Sequence, residues 1–323
     1  GKNNFNNNKY DYLPISICKN CGHKFLSPRP INKFYKQFFD YDYGKTFHGY
    51  KNEFSFKKLL FQKKRGEMVY DYFSKILSKK GTILDHGCST GVTSLKWKKK
   101  NWDVHGIDPH KPSVLYGNKN FKINIKLGYG ENLKFKNNFF DVVLSLGSLE
   151  HCYDLNKSIS EIFRVLKPSG HLIIRWRKFE LKGSPIEYFN SSTLRYFNKY
   201  TWHKVLRKNR LKIIKTIDYP VEGYQTFEYL VVRKVSEKEK IISFKKKKFS
   251  FLSQIKYYFD YEKQYRKKCI SIRSKELLNP KIIFKKKVSY IKKNKIKLMN
   301  LGKYKSINRY FDEIEKYINY FSI

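Results

Sequence analysis

Along the middle of the chain, short apolar runs alternate with segments whose apolar residues recur at helical spacing. The strand candidates, between residues 82 and 177, are TILDHG, DVHGID, INIKLG, DVVLSLG and HLIIRWR. Residues 154–166 form an amphipathic helix candidate before a predicted KPSG turn at 167–170. Strands that alternate with helices predict right-handed crossovers and a parallel sheet covered on both faces.

Two later strand candidates, LKIIKTID (211–218) and TFEYLVVRK (226–234), are joined by only seven residues. A connection that short cannot hold a helical crossover, so this pair is predicted to be antiparallel. We therefore expect an α/β domain at 53–235, preceded by an N-terminal segment at 1–52 with a cysteine knuckle. A basic, aromatic-rich helical extension is predicted at 236–323.

Composition adds charge to this picture without deciding its purpose. The 323 residues carry a formal net charge of +42. Such a charge raises the expectation of phosphate-bearing partners or an anionic membrane surface. Lysines are spread along the whole chain, however, which a solvated surface explains equally well. The charge alone decides nothing.

Localisation follows from cysteine usage and hydropathy. The five cysteines are an odd number and show no secreted disulfide framework, which favours a reducing, cytoplasmic setting. No apolar run approaches the roughly 20 residues that span a bilayer, and no signal peptide is visible. Because the first residue is Gly1 and not Met, we expect a trimmed or processed chain. Contact with the inner membrane from the cytoplasmic side stays open.

The stretch ILDHGCSTGVTSLKW (83–97) places an acid and two glycines directly after a strand. Gly87 and Gly91 allow the turn to pass close to a ligand, and the next helix offers unpaired N–H groups. The spacing differs from the three-glycine dinucleotide pattern, and Asp85 would repel a pyrophosphate. The turn therefore favours a nucleoside ligand with a positive charge.

Asp108 ends the next strand, close to the roughly 20-residue offset at which an acid accepts both ribose hydroxyls. Either carboxylate alone is compatible with a simple helix or turn cap. Both together, each after an apolar strand and before a helix, indicate a ligand site.

Over residues 82–234, the chain resembles the class I S-adenosylmethionine-dependent methyltransferases. ILDHGCSTG is similar to their first motif, and VHGIDPH to their ribose-binding acidic motif. GYGENLKFKNNFFDVVLSLGSLEHCYD resembles their adenine-side loop and fourth strand, and EIFRVLKPSGHLII the following helix and fifth strand. The resemblance implies a Rossmann-like, seven-stranded, mostly parallel sheet whose last strand is antiparallel, with S-adenosyl-L-methionine as cofactor.

The resemblance also implies site residues. Asp85, Gly87 and Gly91 would hold the methionine portion, and Asp108 the ribose. The full predicted cofactor set is Asp85, Gly87, Cys88, Gly91, Asp108, Gly130, Glu131 and Leu146. Two positions depart from the family pattern: Ser89 replaces the commonest glycine, and Tyr129 replaces an acid that accepts from the adenine amino group. We expect adenine to be held instead by the backbone around Gly130 and Glu131.

A hydroxyl acceptor needs a base with a pKa near neutral, and His151 after the fourth strand is the predicted catalytic residue. A neutral histidine packed on the cofactor is the equal alternative, and His110 and Glu150 are weaker candidates. The predicted substrate-binding residues are Arg175, Trp176, Arg177, Tyr188 and Tyr196. Arginine forks suit phosphate or carboxylate, so we expect an anionic acceptor such as a nucleotide-linked or acidic sugar. A lid that merely packs on the sheet is the alternative for the tyrosines.

The N-terminal segment CKNCGHKFLSPRP, followed by FFDYDYGKTFHGY, resembles the segment before the catalytic domain in bacterial methyltransferases often encoded with surface-polysaccharide genes. Those proteins carry an earlier C-x-x-C that would complete a four-thiolate zinc ribbon. Here the segment holds only Cys18 and Cys21, and two thiolates rarely hold structural zinc. We therefore expect no metal here, while an earlier cysteine pair upstream of Gly1 that completes a zinc site stays open.

These interpretations predict a methyltransferase that O-methylates a sugar of a surface glycan or its nucleotide-linked precursor. An RNA methyltransferase, suggested by the charge, is not favoured because SLGSLEHC stands where an Asn-Pro-Pro-Tyr-type motif would lie. A small-metabolite methyltransferase and a non-catalytic scaffold in a glycan-assembly complex stay open. Nothing in the sequence selects an oligomeric state.

Overall fold

The computed structural model describes residues 15–18, 20–43, 54, 56–77, 80–178, 192–222 and 225–241. The chain divides into two compact units, Gly1–Glu262 and Lys263–Ile323, and every described residue belongs to the first. Tyr188 and most of the predicted C-terminal extension lie outside the described residues.

A seven-stranded sheet forms the centre of the first unit, in the order β5-β4-β3-β6-β7-β10-β9. Its strands are β3 (Thr82–His86), β4 (Asp103–Asp108), β5 (Asn124–Leu127), β6 (Phe140–Leu146), β7 (Leu166–Arg177), β9 (Leu211–Glu222) and β10 (Gln225–Lys234). Strands β3 to β7 pair in parallel, whereas β10 runs antiparallel to both β7 and β9. The predicted α/β sheet with an antiparallel last strand is confirmed.

Helices cover both faces of this sheet. They are α2 (Phe56–Phe73), α3 (Leu95–Lys99), α4 (Lys111–Phe121), α5 (Leu155–Val165) and α6 (Lys199–Lys208), with 3₁₀ turns at Val92–Ser94 and Leu149–His151. Side chains set two of the starts: Asp154 accepts from the Lys157 N–H ahead of α5, and Asn198 and Thr201 form a capping box at α6.

Alternate side chains of each central strand enter different cores. In β6, Val143 packs with Ile159, Ile162 and Trp202 in one buried cluster. Its neighbour Val142 packs in a second cluster that contains Phe73, Trp97 and Trp102. Burial of each large apolar side chain stabilises the fold by about 1.5–3 kcal/mol, so both faces contribute. The near-continuous apolar strands of the sequence follow from this double burial.

The predicted KPSG turn is corrected by the structure, which includes these residues in β7. Helix α5 ends at Val165 and β7 begins at once, with Leu166 opposite Phe140. The next pair joins His171 to Val142, so residues 167–170 bulge from the strand. Ser169, at φ 61°, makes the bend that the sequence pattern indicated.

A second, three-stranded antiparallel sheet lies in the N-terminal segment. It consists of β1 (Ile15–Ile17), β2 (Lys24–Leu26) and β8 (Arg195–Tyr196), in that order. Helix α1 (Asn32–Gln37) follows β2 and continues into a π-helical turn at Phe38–Asp42. Strand β8 comes from much later in the chain, so its pairing with β2 connects the N-terminal segment to the α/β domain. Across the described ranges, no helix is long and apolar enough to cross a bilayer.

Candidate active site

The glycine-containing turn leaves β3 at the carboxyl edge of the sheet. The N–H groups of Gly87 and Cys88 donate to the Ile107 carbonyl at 2.9 and 3.2 Å, which ties the turn to β4. Gly87 has φ 72°, and a Cβ there would lie 2.4 Å from Ser148 Cβ. Only glycine fits this position. Ser89, where the family usually has glycine, takes the left-handed conformation at φ 51° and donates its N–H to Asp108 Oδ2 at 2.7 Å.

The two carboxylates predicted from the sequence end neighbouring strands and are both buried. Ser94 Oγ donates to Asp85 Oδ2 at 2.6 Å, and the His110 N–H donates to Asp108 Oδ1 at 2.9 Å. Burial raises the pKa of each carboxyl to about 6, and the charge of Asp108 contributes to the shift of Asp85. Buried carboxylates of this kind favour a ligand that brings positive charge and hydrogen-bond donors.

Both carboxylates line a cavity of about 2180 Å³ at this edge of the sheet. This volume exceeds the roughly 300–1,000 Å³ of single-ligand pockets, so it can hold two molecules side by side. The predicted cofactor residues that line it are Asp85, Gly87, Cys88, Asp108, Gly130, Glu131 and Leu146. Gly91 does not line it. Gly91 lies behind the turn, at φ 71°, where a Cβ would meet Ile123 and Ile125.

His86 is a cavity residue that the sequence analysis missed. Ser148 Oγ donates to the His86 carbonyl at 2.7 Å, so it accepts from the His86 Nδ1–H at 2.9 Å. Burial lowers the pKa of His86 to about 4, which keeps the ring neutral. Its Nε2 faces Gly130, where a Cβ would lie 2.1 Å away. The available signal was a histidine at the end of a buried strand, directly after Asp85.

Tyr129 contacts the N-terminal segment through its side chain. Its hydroxyl donates to Asp40 Oδ1 in the π-helical turn, and Lys36 Nζ lies 5.2 Å from its ring centroid. Burial and the charge of Asp40 raise the pKa of Tyr129. The aromatic residue at this position therefore joins the loop before Gly130 to the segment around α1.

His151 lies in the 3₁₀ turn after β6 and lines the same cavity. Its Nδ1 is 2.6 Å from the Ser192 carbonyl oxygen. Because a carbonyl only accepts, Nδ1 carries a hydrogen, so in the neutral form of the ring the lone pair is on Nε2. The rings of Phe39 and Tyr43 pack around the imidazole, with centroid distances of 5.9 and 6.1 Å.

Successive side chains at the end of β7 point to opposite faces of the sheet, and this alternation separates the predicted substrate residues Arg175, Trp176 and Arg177. Arg175 and Arg177 line the cavity beside Phe227, with Cζ 3.4 and 5.9 Å from the ring centroid. Trp176 points to the opposite face, where it is buried beside Trp202.

The two other predicted substrate residues are not brought to the cavity or cannot be placed there. Tyr196 pairs with Lys24 in the small sheet and is absent from the cavity lining, while Tyr188 lies outside the described residues. Within the described ranges, no group of three or more His, Cys, Asp or Glu side chains is arranged to hold a metal ion. Cys18 and Cys21 form no disulfide, and burial raises the pKa of the Cys21 thiol.

Comparisons with known proteins point to one activity class. Residues 84–174 match the family described as a methyltransferase domain. The chain is 33% identical over 133 residues to a malonyl-[acyl-carrier protein] O-methyltransferase of Buchnera aphidicola, covering 41% of this chain and 52% of that protein. It is 27% identical over 179 residues to a putative methyltransferase of Bacillus subtilis, covering 49% of this chain and 70% of that protein. The chain thus spans about half the length of the Buchnera relative.

A solved structure shares the fold. It is the 1,6-didemethyltoxoflavin-N1-methyltransferase of Burkholderia thailandensis with bound 1,6-didemethyltoxoflavin and S-adenosylhomocysteine. The likeness has a TM-score of 0.51 at 14% identity and covers 66% of this chain and 96% of that one. Residues 84–174 of this chain therefore match a methyltransferase domain, and the seven-stranded sheet has the fold of the Burkholderia methyltransferase, with S-adenosylmethionine as the cofactor.

Proposed function

We propose that this protein transfers a methyl group from S-adenosylmethionine to a hydroxyl group of an anionic saccharide, either a surface glycan or its nucleotide-linked precursor. The observation that carries the proposal is the orientation of His151. Its Nδ1–H is held by the Ser192 carbonyl, so Nε2 is a proton acceptor in the cavity that also contains Asp85 and Asp108.

The residues at the carboxyl edge fit the cofactor. The buried carboxylate of Asp85 suits the cationic amine of the methionine portion, and Asp108 suits the ribose hydroxyls. Gly87 and Gly130 also line the cavity, at positions where a Cβ would clash with Ser148 and His86. When bound, S-adenosylmethionine supplies an electrophilic methyl group on a positively charged sulfur. The protein then contributes mainly alignment of the acceptor oxygen, the methyl carbon and the sulfur.

His151 supplies the proton transfer that a hydroxyl acceptor requires. As the acceptor oxygen forms its bond to the methyl carbon, its proton passes to His151 Nε2. The electron pair of the broken sulfur–carbon bond stays on the sulfur. The resulting imidazolium keeps its Nδ1–H bonded to the Ser192 carbonyl, which stabilises the charge.

The acceptor class rests on charge in the cavity lining. Arg175 and Arg177 lie beside Phe227, and together the three residues offer cationic and aromatic groups for an acidic sugar or a phosphate. Among the described residues that line the cavity, Lys and Arg are more than twice as numerous as Asp and Glu. Oxygen as the methylated atom is supported by the Buchnera relative, which is named as an O-methyltransferase.

A labelled-donor screen tests this proposal. The protein is incubated with methyl-labelled S-adenosylmethionine and matched acceptors: nucleotide-linked sugars with and without a carboxylate, the free sugars, and a short RNA. Asp85→Asn measures background. We expect label in an anionic saccharide, and we expect it to survive mild alkali, because a methyl ether is stable where a methyl ester is hydrolysed. Label that enters only RNA, or only neutral acceptors, would overturn the proposed acceptor.

A further inference from the structure

The hydroxyl of Tyr35 contacts the histidine region from the N-terminal segment. Tyr35 lies in α1 and is 4% exposed. Its hydroxyl oxygen is 2.6 Å from the His151 carbonyl oxygen and 2.9 Å from the Ser192 carbonyl oxygen. The Ser192 carbonyl is the same group that accepts from the His151 ring at Nδ1. One phenol therefore contacts both the main chain of the histidine and the group that orients its ring.

We infer that Tyr35 is a positioning residue that holds the His151 imidazole in its Nδ1–H form through the Ser192 carbonyl. This inference rests on the proposed function, in which His151 Nε2 accepts the proton of the substrate hydroxyl. Tyr35 acts through Ser192 and His151 and need not touch the substrate.

The hydrogen-bonding capacities of the three groups are compatible with this role. A carbonyl oxygen has two lone pairs, so Ser192 can accept from the phenol and from the imidazole together. The phenol has one hydrogen and two carbonyls within reach, so it donates to one or is shared between them. Burial raises the pKa of Tyr35 well above its ordinary value, which keeps the hydroxyl protonated as a donor.

The surrounding packing fixes both ends of the link. The Tyr35 ring packs on Phe39 and Tyr153, with centroid distances of 4.8 and 5.7 Å. Two residues after Ser192, the Leu194 N–H donates to the Glu150 carbonyl at 3.2 Å. The Leu194 carbonyl accepts from the Leu26 N–H at 3.0 Å. The Ser192 carbonyl is thus held between the N-terminal segment and the 3₁₀ turn that contains His151.

Tyr35→Phe tests the link because it removes the hydroxyl and keeps the ring. The full chain is prepared with ¹⁵N-labelled histidine, and His151→Gln identifies the His151 signals. In the unsubstituted protein at pH 8 we expect a protonated Nδ1 and an unprotonated Nε2. In Tyr35→Phe we expect a mixture of both tautomers. With an acceptor from the screen, kcat should fall about tenfold, a part of the roughly 10²–10⁴-fold that a positioned base contributes. The Kd for S-adenosylmethionine should not change.

Tyr41→Phe is the matched control, since Tyr41 lies in the neighbouring π-helical turn and is 60% exposed. It should leave the tautomer and kcat unchanged. Placing 3-fluorotyrosine at position 35 retains the hydroxyl and should retain the Nδ1–H form, which separates the hydroxyl from a packing effect.

An unchanged His151 tautomer in folded Tyr35→Phe would overturn the inference. So would an equal loss of the Nδ1–H form in the 3-fluorotyrosine protein. The spectrum requires no methyl acceptor, so it is independent of turnover. A shifted tautomer in a protein that methylates nothing would support the positioning role while refuting the proposed function.

Discussion

The two halves of the cavity are built in different ways. The two carboxylates of the donor half come from one stretch of chain, residues 83–110, in which a turn and two strand ends bring Asp85 and Asp108 together. The loop around Gly130 and the end of β6 complete this half. The acceptor half is assembled from distant parts of the chain. Tyr35, His151 and Ser192 meet there, and Tyr35 and Ser192 are 157 residues apart in sequence. A local motif can be read from sequence, whereas a long-range assembly requires the fold.

The largest effect is expected from a substitution in the acceptor half, which should lower kcat and leave cofactor binding in the donor half intact. His151→Gln should lower kcat about a thousandfold, because the acceptor hydroxyl loses its proton acceptor. The Kd for S-adenosylmethionine, measured by calorimetry, should stay within about twofold. His105→Gln, a partly buried histidine that pairs with Asp103 in β4 and is absent from the cavity lining, is the control and should retain kcat. A His151→Gln protein with full activity would show that the histidine only packs on the cofactor.

The converse substitution lies in the donor half and should weaken cofactor binding. Asp85→Asn should weaken S-adenosylmethionine binding about a hundredfold, because the cationic amine loses a buried charge partner. Asp71→Asn removes an exposed carboxylate that pairs with Lys96 and should leave the Kd unchanged. Calorimetry measures both variants. Equal affinities for Asp85→Asn and the unsubstituted protein would remove Asp85 from the site.

Loss of an arginine should affect the acceptor and not the donor. Arg177→Gln should raise the KM for an anionic saccharide about tenfold, because a charge-assisted contact is lost. Its effect on an uncharged analogue of the same sugar should be small. Initial rates against acceptor concentration give both values. The same KM change for charged and uncharged acceptors would point to a packing role.

The pH dependence of cofactor binding tests the protonation of the two carboxylates in the donor half. Burial raises the pKa of Asp85 and Asp108 to about 6 in the ligand-free protein, and the cationic amine binds the ionised form. Affinity for S-adenosylmethionine should therefore be constant above pH 7 and should fall as the pH drops from 6 to 5, by about tenfold if one proton must leave on binding. Asp85→Asn should have a shallower profile. Equal affinity at pH 5 and pH 7.5 would contradict these shifts.

The smallest expected effect concerns the packing of His86 against the adenine-side loop. Gly130→Ala would place a Cβ 2.1 Å from His86 Nε2, so it should lower the free energy of unfolding by about 1–3 kcal/mol. Gly128→Ala in the same loop meets only the end of the Ile107 side chain, at 3.2 Å, and should cost less. Urea denaturation compares the two variants. Equal stabilities would mean that the loop moves freely away from the histidine.

The sequence pattern was informative for features that are formed within one strand and the residues directly after it. It located all five parallel strands and the final antiparallel pair, because apolar alternation and connection length are local properties. It also identified Asp85 and Asp108. It did not reveal the small sheet, because β8 has only two residues and its partner β2 lies in the N-terminal segment.

The substrate residues show the same limit at shorter range. Arg175, Trp176 and Arg177 are consecutive, but a strand sends neighbours to opposite faces, so only the two arginines reach the cavity. That alternation was available from the predicted strand HLIIRWR. The tautomer of His151 was not, because it depends on a main-chain carbonyl 41 residues away.

Strand β8 limits where the chain can be cut without leaving a strand unpaired. Its two residues complete the hydrogen bonding of β2, although they lie between β7 and α6 in the order of the chain. A fragment that starts after the first fifty residues would therefore carry an unmatched strand edge and would lose Tyr35 as well. The N-terminal segment therefore forms part of the cavity wall, and exchanging it for that of another protein would change the side chains that line the cavity.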